Sequence, residues 1–153
     1  MKRYTIYMKK DGGVVKDCIT DFGMWCASVP FKMAQEAKSL SSRDWKDEDG
    51  TDEYVPQVLR MKDYEMDVKF CCKGERDSAN ATLRRFLDYL TGRDGSGVMM
   101  SMYCDYTKIG RKDVRFVKID DEAELVRDED GDILIVTITF KVNDPVTDVV
   151  LSK

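Results

Sequence analysis

The residues of this chain that chemistry would need are five cysteines, Cys18, Cys26, Cys71, Cys72 and Cys104, and two runs of carboxylates around residues 44–50 and 128–132. A thiol becomes a nucleophile only when a base, a cation, a helix N-terminus or a metal lowers its pKa. The sequence has no histidine. Cys–His and Ser–His activation are therefore missing, as is the commonest general base near neutral pH. Cys72 lies just before a predicted helix, which is one place where a thiol is activated. Yet it sits on a strand pattern, and adjacent Cys71 and Cys72 project to opposite faces of such a strand. Free cysteine behaves mostly as a small core residue, so packing is its expected role. No Cys-x-x-Cys pair occurs, and without imidazoles a zinc set is not expected.

The acidic runs invite a calcium reading: Asp44, Asp47, Glu48, Asp49, Gly50 and then Asp128, Glu129, Asp130, Gly131, Asp132. An EF-hand loop needs a ligand five residues before its glycine. Gly50 would put Trp45 in that slot, and Gly131 would put Val126 there. Solvated turns fit both runs better. Asp21-Phe22-Gly23 matches the kinase magnesium tripeptide, but no Gly-rich loop or His-Arg-Asp accompanies it. Arg93-Asp94-Gly95-Ser96-Gly97 lacks a following Walker lysine and starts no helix, so it is no phosphate cradle. No enzymatic activity, metal or cofactor is expected from these groupings.

A length of 153 residues predicts a single domain over 1–153, large enough to bury a core without staples. The 25 basic and 29 acidic residues leave a net charge of −4, and the pI is near 5.0. That balance disfavours a nucleic-acid binder and a polybasic membrane anchor. The longest apolar run is far shorter than a membrane span. Met1-Lys2-Arg3-Tyr4 leads directly into a strand pattern with no signal peptide, so a reducing cytoplasm with free thiols is the expected setting.

The elements that must position these residues centre on 59–106, which reads strand, helix, strand. Tyr64, Met66, Val68, Phe70 and Cys72 alternate with Glu65, Asp67, Lys69 and Cys71, a period of two. Residues 77–91 read as an amphipathic helix with Leu83, Phe86, Leu87 and Leu90 on one face and Gly92 as its stop. Burying those four side chains stabilises the docked helix by roughly 6–12 kcal/mol. Val98, Met100, Met102, Cys104 and Tyr106 form the next alternating face, with Met99, Met100 and Met102 expected in the core. Before this unit, Tyr4, Ile6 and Met8 alternate, Asp11-Gly12-Gly13 turns, and 14–19 reads as a second strand. A short strand over 24–29 ends at Pro30. Residues 32–40 suit a helix or an extended segment equally. Residues 41–53 form a long polar loop around Trp45, and such loops are usually functional. After it come a turn at 108–111 and strands over 114–119, 122–127 and 133–142, the last two joined as a hairpin. The final strand is apolar on both faces, which predicts that it is covered on both. Residues 146–153 read as a tail or an added strand. Short connections imply antiparallel pairing. The expected fold is mainly β (α+β): an antiparallel β-sandwich or partly open barrel with one flanking helix.

Taken together, Asp21-Phe22-Gly23-Met24, Pro30, Arg43-Asp44-Trp45 with Asp49-Gly50, Tyr64-x-Met66-x-Val68-x-Phe70, and a helix ending Phe86-Leu87-Asp88-Tyr89-Leu90 before a Met/Tyr-rich strand form a pattern. It spans about residues 20–142 and resembles the N-terminal domain of bacteriophage distal tail proteins. More broadly it is similar to the tail-tube fold of phage tails and related contractile machines. The resemblance implies a structural subunit of a virion tail, present in the host cytoplasm during assembly. It implies a homo-oligomeric ring, commonly a hexamer, meeting other tail proteins and passing DNA without binding it specifically. Distal tail proteins often carry a further C-terminal domain with no counterpart in this sequence, so tail-tube and distal-tail positions both stay open. An inter-subunit role falls on the loop bearing Arg43, Asp44, Trp45, Asp49 and Gly50. The alternative is a small monomeric β-module that binds a ligand or protein through its acidic loops.

Overall fold

Alternating apolar residues build the strands, and turn residues divide them. The computed structural model describes residues 3–28, 36–74, 76–120, 123–128 and 131–153. The chain opens with β1 (Ile6–Lys10), β2 (Val15–Asp17), α1 (Cys18–Phe22) and β3 (Trp25–Ser28). Two short strands follow, β4 (Ser42–Arg43) and β5 (Asp52–Glu53). Then come β6 (Tyr64–Gly74), α2 (Arg76–Thr91), β7 (Met100–Cys104) and β8 (Ile109–Ile119). A hairpin of β9 (Glu124–Asp128) and β10 (Gly131–Val142) completes the set.

Eight strands form one antiparallel sheet in the order β2-β1-β7-β8-β10-β6-β3, with β9 also paired to β10. The expected mainly β architecture is therefore present. β10 lies inside the sheet and pairs with β6 from Asp132↔Gly74 to Val142↔Tyr64. Its other edge is shared by β9 and β8. Leu134, Val136, Ile138, Phe140 and Val142 are buried on one face, and Met66, Val68, Phe70 and Cys72 are buried on β6 beside them.

The sheet curls until its ends meet, giving a partly open barrel. Tyr4, just before β1, bridges Cys26 of β3, and the Cys26 N–H donates to the Tyr4 carbonyl at 3.0 Å. Further along the same edge of β1, β2 takes over as the partner. Between the two partners the Ile6 N–H donates to the Cys18 sulfur at 3.2 Å, so a thiol fills the gap in the ladder.

Helix α2 covers the core with Ala79, Leu83, Phe86, Tyr89 and Leu90 buried, while Leu87 is half-buried. Phe86 packs edge-on against Phe70 at 5.0 Å, and Phe22 of α1 reaches Phe86 and Tyr89 at 5.4 and 4.9 Å. Such tilted ring contacts suit the aromatic quadrupole.

Several expectations needed correction. Residues 18–22 are helical, where 14–19 read as strand. The Asp17 carboxylate caps the Ile19 N–H at 2.9 Å, and left-handed Gly23 closes the turn by donating to the Ile19 carbonyl. Caps of this kind override a short alternating pattern. The central strand starts at Tyr64 rather than at residue 59. Strand β7 is shorter than read, leaving Val98 and Tyr106 exposed outside it. The predicted turn at 108–111 falls earlier, and Gly110 lies inside β8. A Cβ there would sit 2.0 Å from the Val149 carbonyl oxygen, so glycine lets the tail lie against the strand. The tail adds one bridge, Arg111↔Asp148, rather than a strand. Readings that fall on 29–35, 75, 121–122 and 129–130 lie outside the described residues.

Candidate interface arm

Residues 41–53, expected as a loop, belong to a paired ribbon. The Lys62 N–H donates to the Glu36 carbonyl and the Lys38 N–H to the Arg60 carbonyl, each at 2.8 Å, and Ala37 bridges Met61. Further out the Tyr54 N–H donates to the Ser41 carbonyl at 2.9 Å, and β4 pairs β5 through Ser42↔Glu53 and Arg43↔Asp52. Residues 36–62 thus form a two-legged arm. Local polarity hid this pairing, because neither leg alternates towards a core. At its root Lys62 pairs with Glu36 at 2.8 Å, and Lys141 with Asp63 at 3.0 Å. The Lys141 hydrogen bond holds the Asp63 carboxyl below its ordinary range.

The structure brings together most of the predicted site residues. Arg43 ends β4, and its guanidinium lies 5.5 Å from the centre of the Trp45 ring. Asp44 leads into the tip, where the Glu48 N–H donates to the Trp45 carbonyl at 3.3 Å. Asp49 and Gly50 complete the turn, with Gly50 at φ 79°. All five are exposed. A shallow groove over the paired legs is lined by Ser41, Ser42, Arg43, Asp52, Glu53 and Tyr54.

Sequence reasoning missed the apolar part of the arm. Trp45 is 45% exposed, and on the returning leg Tyr54, Val55, Val58 and Leu59 are 73%, 62%, 61% and 47% exposed. The signal was present in the run Tyr54-Val55-Pro56-Gln57-Val58-Leu59, which is apolar but does not alternate, and whose i, i+4 pairs Tyr54/Val58 and Val55/Leu59 are interrupted by Pro56. Among the described residues β4 and β5 pair with no strand but each other. A lone two-stranded ribbon is marginal in water. Large apolar residues left exposed on it make the arm a candidate contact surface.

Charge is as uneven as polarity. Residues 43–53 carry six carboxylates against two cations, which equals the whole chain's acidic surplus of four. The remainder of the molecule is balanced.

The other chemistry-bearing groups are spent on packing. All five thiols are buried and free. Burial pushes the Cys18 thiol up to about 11 and also raises Cys26, Cys71 and Cys72. Cys72, at the entrance to α2, is thus protonated near neutral pH. Among the described residues no group of three or more carboxylates and thiols is arranged to hold a metal ion. No described helix is long and apolar enough to cross a membrane. No protein-family model matches the chain, and no curated protein matches it.

Proposed function

We propose that this chain is a structural subunit of a bacteriophage tail or tail-like particle, a ring-forming protein of the tail-tube or distal-tail type. One observation carries the reading: the arm over 36–62 exposes Trp45, Tyr54, Val55, Val58 and Leu59 while, among the described residues, its strands pair only with each other. An arm of this kind gains stability when a neighbouring chain covers its apolar side. Subunits that reach into one another by different surfaces close into rings when the rotation allows. The curled antiparallel sheet with α2 packed over its core agrees with the fold that the sequence resemblance implies. On this reading the partners are copies of the chain and adjoining tail proteins, and DNA passes through without specific contacts.

The test is the solution mass of the purified protein over a wide concentration range, with electron microscopy of the assembled fraction. The expected result is concentration-dependent assembly into one closed ring. A monomer at every concentration that instead binds a ligand through its acidic tip supports the β-module reading.

A further inference from the structure

Across the outer face of the sheet, Trp25 of β3 lies opposite Cys71 of β6, which lies opposite Ile135 of β10. In the neighbouring row Ile133 lies opposite Val126 of β9. These residues share one face, because alternate strand positions point the same way. Trp25, Ile133 and Ile135 are half-buried, Cys71 is covered beneath them, and Val126 is 39% exposed. The outer face of a sheet facing water normally alternates to polar residues. Here it carries an apolar strip instead.

The rim of the strip is basic. Lys69 and Lys73 flank Cys71 two positions away on the same face of β6, and both are exposed. The Arg3 guanidinium lies 4.2 Å above the Trp25 ring. Carboxylates on the same face include Glu124, across from Ile135, and Glu65 and Asp67 further along β6, with Asp67 accepting from the Thr139 hydroxyl at 2.6 Å. Strand β9 ends at Asp128, across from Gly131. The outer part of the arm is the complement: residues 43–53 carry six carboxylates against two cations, with exposed Trp45 among them and exposed Tyr54 and Val55 next in the chain. Opposite potentials of this kind fix register and partner.

We infer that the arm of one copy docks on the Trp25–Cys71–Ile135 strip of the next copy, its tip carboxylates meeting Lys69, Lys73 and Arg3. The two surfaces differ, so the contact is head-to-tail, as ring closure requires. The inference rests on the ring-subunit reading and names the face that completes it.

Charge reversal tests it. Lys69→Glu with Lys73→Glu places carboxylates opposite the arm. The concentration for half-assembly should rise about ten- to a hundredfold. Adding Asp47→Lys and Glu48→Lys to the same chain should restore most of the loss. All four positions are exposed, so an unchanged thermal midpoint serves as the folding control. Normal assembly of the Lys69/Lys73 variant, or no recovery in the fourfold variant, overturns this docking face while the ring reading stands. A wild-type chain that stays monomeric at every concentration overturns both.

Discussion

The backbone N–H of Ile6 donates to the thiol sulfur of Cys18 where β1 changes partners between β2 and β3. The Thr5 hydroxyl joins the same group, donating to Asp17 and lying 3.5 Å from the Cys18 sulfur. A cysteine thus closes the gap where the curled sheet meets itself.

That placement gives the fold an alkaline limit. Burial raises the Cys18 thiol from 9.0 to about 11. Below pH 9 the thiol is neutral in both folded and unfolded chains, and its contribution is fully present. Above that, the unfolded chain ionises first and stability is lost as pH rises through the folded value. Roughly 2–3 kcal/mol should disappear over this window from Cys18 alone. Urea midpoints at pH 8 and pH 10.5 measure the loss. Cys18→Ser keeps an acceptor for Ile6 without titrating, so it should lose less between the two pH values.

Lys10 is held at the other end of β1. It is 3% exposed and donates to the Tyr89 carbonyl, near the end of α2, at 2.7 Å, and also to the Gly97 carbonyl. Its ammonium also lies 4.6 Å from the centre of the Tyr89 ring. A cation at the end of a helix satisfies carbonyls that have no intrahelical partner. Lys10→Met takes this donor from the Gly97 carbonyl and leaves the Tyr89 carbonyl with the longer Gly92 N–H bond of 3.4 Å, and chemical denaturation should record a loss of about 2–3 kcal/mol.

Gly110→Ala tests the packing of the tail. The added methyl would fall 2.0 Å from the Val149 carbonyl oxygen. It cannot be accommodated unless the tail moves. The move would disturb the Val149 N–H to Gly110 carbonyl bond of 3.3 Å and the Arg111–Asp148 ion pair. We expect a destabilisation of about 1–3 kcal/mol and faster proteolytic trimming of residues 146–153 than in the parent.

Trp45→Ala separates folding from association. Trp45 is 45% exposed and is not one of the buried core residues, so the thermal midpoint should stay within about 1–2 °C. Buried Trp anchors cost about 2 kcal/mol or more when truncated in an interface. Assembly should therefore shift to at least roughly tenfold higher concentration, measured by sedimentation. An oligomer of unchanged stability would remove Trp45 from the contact.

Much of this fold could be read from the residues, and the limits have physical causes. Met66, Val68 and Phe70, like Val136, Ile138 and Phe140, alternate because one face of each strand meets the core, and all six are buried. The helix face of Leu83, Phe86 and Leu90 was legible for the same reason. Alternation names a face but no neighbour. It did not reveal that β10 and β8 separate β6 from β7. Five-residue α1 is specified by its caps, Asp17 and Gly23, rather than by periodicity. Of the arm, the sequence marked Arg43, Asp44, Trp45, Asp49 and Gly50 but not the pairing, because a ribbon standing away from the body leaves no imprint of burial.

The place of β10 in the sheet bears on how the chain acquires its shape. It is the latest described strand in chain order yet supplies partners to β6, β8 and β9. Until it has been synthesised, the eleven-residue β6 lacks its main companion. Local contacts can nucleate α2 early, but closure waits on pairings between distant parts of the chain, which makes folding slow. During that interval the nascent protein exposes a long apolar strand, the condition under which chaperones and crowding decide yield.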